Sequence, residues 1–136
     1  MAKPRREIID RFAERYSMRG SAVYREIEQE VIGGVFGANG YTTKAQADAL
    51  IDTLDLNPGS RVLDLGAGRG WPGLYVAEQA GCDVILADLP EPGLRTALKQ
   101  AIRKNIDEVA QPVMAAGERL PFKRGSFNAV IHSDVL

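Results

Sequence analysis

Residues 62–70 read Val-Leu-Asp-Leu-Gly-Ala-Gly-Arg-Gly, an apolar run that passes into three glycines at alternate positions. Branched aliphatic residues interrupted by a single aspartate suit a strand covered on both faces, as in parallel sheets. Glycines directly after such a strand let the chain turn and let a ligand approach the backbone, because no Cβ intervenes. Open α/β sheets collect their ligands at the carboxyl ends of the strands. The segment therefore calls for an α/β fold with its site after the first strand. The downstream sequence supplies the matching elements. Pro72 suits the first turn of a helix running to Ala80, with Gly81 as its stop, and residues 82–88 form a second buried-type strand. Pro92 opens a helix with Leu94, Ala97, Leu98, Ala101 and Ile102 on its inner face. Residues 113–115 form a weaker third strand and residues 127–133 a stronger fourth. Strands alternating with helices imply parallel pairing through right-handed crossovers.

The first 56 residues have a different texture and read as an N-terminal helical cap, 1–56, ahead of a sheet-forming part, 57–136. In residues 4–17, Ile8, Ile9, Phe12, Ala13 and Tyr16 share one helical face, and Arg6, Asp10, Arg11 and Glu14 lie mostly on the other. Arg5, Arg6, Arg11, Arg15 and Arg19 make its outer side basic, which reads as a solvated face. Ser21 can cap a second helix over residues 21–32, in which Val23, Ile27 and Val31 form the apolar stripe. Gly33, Gly34, Gly37 and Gly40 then mark a loop, Thr43 and Gln46 fit a capping box, and a third helix runs to Leu56. Asn57-Pro58-Gly59-Ser60 is a turn.

Composition removes several classes of function. Seventeen basic and eighteen acidic residues give a net charge of -1, which argues against bulk attraction to nucleic acid. One cysteine, Cys82, and one histidine, His132, exclude a disulfide framework and the usual zinc sites, so no metal is expected. The longest uncharged stretch, residues 31–43, is too short to span a bilayer. No secretory apolar region follows the N-terminus, so the expectation is a cytoplasmic protein without membrane attachment.

Two kinds of cofactor compete for the glycine loop. Gly68-Arg69-Gly70-Trp71-Pro72-Gly73 matches the dinucleotide string G-x-G-x-x-G. The first dinucleotide glycine normally follows its strand at once, however, and counted from Gly66 the third position falls on Trp71. Asp64 would also repel a pyrophosphate, whereas a cationic amino group would suit it. Asp88, ending the second strand, can accept from both hydroxyls of a ribose, a device shared by dinucleotide and nucleoside-sulfonium enzymes. The other reading of Asp88 is a turn aspartate before Pro90.

The run Asp64 to Gly70, then Asp88, then Glu118-Arg119-Leu120-Pro121-Phe122, then Ser126-Phe127-Asn128-Ala129-Val130-Ile131, resembles the class I S-adenosylmethionine-dependent methyltransferases. It is most similar to the branch that modifies small molecules and lipid-like acceptors, and the resemblance covers residues 40–136. It implies a Rossmann-like parallel sheet of order 3-2-1-4, S-adenosylmethionine as cofactor, and a small-molecule methyl acceptor as partner. By the same resemblance Gly66, Ala67, Gly68 and Gly70 form the cofactor loop against methionine and ribose, and Asp64 helps hold the methionine amino group through water. Asp88 takes the ribose diol, Leu89 packs on adenine, Ala116 and Gly117 touch the adenine edge, and the backbone near His132 and Ser133 faces the amino group.

No catalytic base is identified. His132 and Asp134 are candidates, and each also reads as a packed or solvated side chain. Tyr16 and Tyr41 offer aromatic faces to a sulfonium, or pack in a core, and Trp71 is expected in the seam between helix and sheet. Two positions depart from the family pattern: Ala116 stands where many members carry an aspartate, and Asn128 where many carry Phe-Asp. The family fold continues past strand four, whereas this chain ends at Leu136. It is therefore expected to be a truncated cofactor-binding portion that self-associates through the exposed strand-four edge. The alternatives are a non-catalytic cofactor-binding or association fragment, a NAD-dependent oxidoreductase and a nucleic-acid methyltransferase.

Overall fold

Asn57 starts the sheet-forming part by folding the chain back on itself. Its Oδ1 accepts from the Gly59 amide at 3.0 Å, and its own amide donates to Ser60 Oγ at 3.1 Å. The chain leaves this turn directly into β1 (Arg61–Leu65). In the computed structural model, which describes residues 5–18, 22–38 and 40–133, β1 is followed by α4 (Gly73–Ala80), β2 (Asp83–Asp88), α5 (Glu91–Arg103), β3 (Ala110–Met114) and β4 (Ala129–Ile131). Ahead of them lie α1 (Arg5–Met18), α2 (Ala22–Ile32) and α3 (Lys44–Thr53).

The four strands form one parallel sheet in the order β3-β2-β1-β4, as the sequence implies. Asp64 of β1 pairs with Leu86 of β2 on one side and Ile131 of β4 on the other. β3 begins at Ala110, earlier than expected, and runs through Pro112. A proline gives no ladder donor and is tolerated because, among the described residues, β3 is an edge strand. β4 is shorter than the expected 127–133.

Val62, Val84, Leu86, Ala110 and Ile131 bury one face of the sheet against Leu74, Val76 and Ala77 of α4 and Ala97 and Ala101 of α5. Gly81, at φ 68, ends α4 in the left-handed conformation that glycine adopts without strain. Leu94, Ala97 and Ala101 of the expected inner face of α5 are buried, but Leu98 and Ile102 are 42% and 53% exposed. The apolar arc of this helix is wider than the surface it covers.

Among the N-terminal helices, α3 packs on α4, and its Leu50 and Ile51 pack against the main core. Thr43 and Gln46 close the capping box, Ala47 is buried, and the Tyr75 hydroxyl of α4 donates to Asp48 Oδ1 at 2.5 Å. α1 lies along α5, and Arg5 pairs with Glu118 at 2.6 Å. α2 is turned by about one residue from the expected orientation. Glu28 and Ile32 are its buried residues, while Val23, Ile27 and Val31 are 64%, 52% and 49% exposed. Glu28 tolerates burial because its Oε1 accepts from the amides of Phe36 and Ala38 at 2.6 and 2.8 Å, fixing the loop that follows.

Trp71 lies outside the helix–sheet seam. It stacks on Phe36 with ring centroids 4.1 Å apart and donates from Nε1 to the Thr42 carbonyl at 2.8 Å, in a small second core with Ile32, Ala38 and Ala47. The cap at Ser21 and the side chains of Phe12, Ala13 and Tyr16 lie outside the described residues. Among the described residues, no helix is long and apolar enough to cross a membrane.

Candidate functional site

β1 leaves the sheet through Gly66, at φ 78. The Gly66 and Ala67 amides both donate to the Ala87 carbonyl, at 2.8 and 3.1 Å, so the loop curls over the end of β2. Gly68, at φ 54, then presents its amide to Asp88 Oδ2 at 2.7 Å, while Leu89 donates to Oδ1 at 2.8 Å. Asp88 is thereby fixed at both oxygens, and each retains further acceptor capacity. Burial raises its carboxyl above the ordinary range, and the Leu89 and Gly68 amides oppose that rise.

Asp64 lies on the helix-facing side of β1, 1% exposed, and its Oδ2 has no hydrogen-bond partner. Burial pushes its carboxyl up to about 8; the Gly73 amide favours the charged form, and the nearby Asp88 charge disfavours it. Gly73 opens α4 directly against this carboxylate. A Cβ there would collide with Asp64 Oδ2 and with Leu86, so the position accepts only glycine. The head of α4 thus already faces a carboxylate of the protein itself.

The loop after β3 completes one side of the site. The Ala115 amide donates to the Asp88 carbonyl at 3.0 Å, and a turn through Ala116 and Gly117 closes with Arg119 donating to the Ala116 carbonyl at 3.0 Å. On the other side, Ile131 pairs with Asp64, so the parallel register carries His132 and Ser133 alongside Leu65 and Gly66. Ser133 is half-buried and His132 exposed; Asp134 lies outside the described residues.

The structure thus brings Asp64, Gly66, Ala67, Gly68, Asp88, Leu89, Ala116, Gly117 and Ser133 to the carboxyl ends of the strands. Gly70 differs, because a Cβ there would meet Leu74 at 2.5 Å and Ala97 at 3.2 Å, so packing explains this glycine. Tyr41 is 74% exposed. Sequence reasoning met Gly73 only as the last glycine of the dinucleotide string and gave it no role beside Asp64. It also overlooked Glu28, an acid at helical spacing from Ile32. Chemically, the site pairs a buried carboxyl whose Oδ2 has no hydrogen-bond partner with a second carboxylate held in fixed orientation, an arrangement suited to a cationic ligand that also carries a diol.

Residues 62–136 match a family described as "Methyltransferase domain". Phosphoethanolamine N-methyltransferase 3 of Arabidopsis thaliana is 36% identical over 94 residues, covering 68% of this chain and 18% of that protein. Sarcosine/dimethylglycine N-methyltransferase of Halorhodospira halochloris is 34% identical over 79 residues, covering 58% of this chain and 28% of its own length. The chain therefore spans less than a third of either relative. Among solved structures, geranyl diphosphate C-methyltransferase of Streptomyces coelicolor A3(2), in complex with Mg2+, geranyl diphosphate and S-adenosyl-L-homocysteine, superposes with a TM-score of 0.69. That superposition covers 96% of this chain and 54% of that one at 21% identity, a likeness of fold.

Proposed function

The chain belongs to the methyltransferase-domain family, and on that premise we propose that it is the S-adenosylmethionine-binding part of a methyltransferase acting on a small-molecule acceptor. The observation that carries this reading is Asp64 filling the head of α4. A dinucleotide rests its pyrophosphate on the amides of that helix end. Here the Gly73 amide faces the Asp64 carboxyl, and an incoming phosphate would find that helix end already occupied. A cationic amino group instead supplies what the unpartnered Oδ2 lacks.

The residues fit S-adenosylmethionine. Asp88 would accept from two ribose hydroxyls while the Gly68 and Leu89 amides hold it in place. Gly66, Ala67 and Gly68 would present backbone to the ligand, with Gly70 shaping the same loop. Leu89 would give adenine an apolar platform, with Ala116 and Gly117 at its edge. Ala116 offers no side-chain acceptor, which forgoes about 0.5–1.5 kcal/mol. Asp64 and the backbone at Ser133 would face the amino group. The bound cofactor supplies a methyl group made electrophilic by its sulfonium. What remains for the protein is to hold an acceptor atom in line at roughly 3–3.5 Å. His132, exposed at the end of β4, and Asp134 two residues on would be the candidates to take a proton from an acceptor that starts protonated.

The acceptor class follows from the relatives, whose names specify phosphoethanolamine and sarcosine/dimethylglycine. A cytoplasmic setting, no nucleic-acid partner and an acceptor-covering role for residues 1–56 belong to the same reading. Calorimetric titration with S-adenosylhomocysteine tests it. The parent chain is expected to bind saturably and Asp88→Ala at least about tenfold more weakly, since each hydrogen bond to a charged group is worth about 1.5–3 kcal/mol. Unchanged affinity in the variant, or tighter binding of NAD by the parent, overturns the proposal.

A further inference from the structure

A second recess lies outside the strand-end site. It is enclosed by α2, the loop after it and the C-terminal half of α5, with a volume of about 330 Å³, within the usual range for small-molecule pockets. Its walls are chemically segregated. One is apolar: Tyr24, Ile27, Val31 and Val35 line it while remaining 42%, 52%, 49% and 50% exposed. The other carries Arg69, Gln100, Arg103 and Lys104. Gly37, at φ +71, lets the loop pass where a Cβ would lie 2.8 Å from Gln100 Nε2 and 3.7 Å from an Arg69 guanidinium nitrogen, so these two polar ends converge at its back.

The charge is one-sided. Arg25 adds a further cation to the lining, and among the described residues Glu28 is its single carboxylate, engaged by the Phe36 and Ala38 amides. Arg69 and Arg103 stand on this wall together with Lys104, which is ion-paired with Glu78 at 3.1 Å. The rotation of α2 is what builds the apolar wall. Burying Glu28 costs desolvation and turns Val23, Ile27 and Val31 outward. A ligand covering Ile27 and Val31 would offset part of that cost.

We propose that this recess binds an amphiphilic anion, its apolar body against α2 and its carboxylate or phosphate head between Arg69 and Arg103. The inference does not rest on the cofactor reading. The 136-residue chain is titrated calorimetrically with decyl phosphate, decanoate, decyltrimethylammonium and inorganic phosphate, each amphiphile below its micelle concentration. Both decyl anions are expected to bind at one site, and the decyl cation and inorganic phosphate at least about tenfold more weakly. Ile27→Asn and Arg103→Gln, both at exposed positions, should each weaken decyl phosphate at least about fivefold, with S-adenosylhomocysteine binding and Tm unchanged. Equal binding of decyl cation and anion, or of inorganic phosphate and decyl phosphate, overturns the proposal. So does an Arg103→Gln variant that lowers Tm yet binds decyl phosphate as the parent does, which would assign Arg103 to the dipole of α5. A chain that binds decyl phosphate and fails to bind S-adenosylhomocysteine refutes the cofactor reading alone.

Discussion

Asp64 links the site to pH. Its carboxyl titrates at an ordinary 3.8 in the unfolded chain and at about 8 in the fold. Between those values the native state keeps a proton that the unfolded state has released. Folding stability from this group is therefore fully present below about pH 4, is lost as the pH rises toward 8, and is level above. Asp88, shifted in the same direction, adds to the slope. Thermal unfolding from about pH 5 to 9 should show stability falling with pH in the parent and a flatter profile in Asp64→Asn. A profile that stays unchanged in the variant would contradict this. A cationic group bound beside Asp64 expels its proton, so S-adenosylhomocysteine should bind more tightly as the pH approaches 8, and Asp64→Asn should lose that dependence.

At the scale of elements, α2 and its loop depend on one carboxylate. Glu28→Ala leaves the Phe36 and Ala38 amides without their acceptor, at a cost of about 1–3 kcal/mol. Hydrogen exchange should accelerate at those two amides while protection in β1 and β2 persists. This bond also shows where the sequence stopped being legible. The capping box at Thr43 and the stop at Gly81 were readable because their chemistry is complete within a few residues. Asp64, the glycines and Asp88 were readable because strand spacing alone carries them to one end of the sheet. The facing of α2 was not, because hydrophobic periodicity selects Val23, Ile27 and Val31, and only partners eight and ten residues away make Glu28 the buried position. Trp71 was misplaced for the same reason, since its stacking partner lies in a loop without periodicity. The requirement for glycine at position 73 depends on the register that sets Asp64 beneath α4, which no local pattern encodes.

For the molecule as a whole, β4 is a sheet edge among the described residues, pairing only with β1, and its Val130 is 56% exposed. Such an edge invites pairing with another chain. Sedimentation velocity is expected to show concentration-dependent self-association, and Val130→Lys should suppress it; a parent that stays monomeric at high concentration would contradict the expectation. The small second core has a different consequence. Trp71 is the chain's single tryptophan, 6% exposed beneath Phe36, so the protein carries a built-in fluorophore where the N-terminal segment meets the sheet layer. If that segment peels away first, emission will shift to the red while the far-ultraviolet signal of the strands persists, and the two halves of the molecule can be followed separately without any added label.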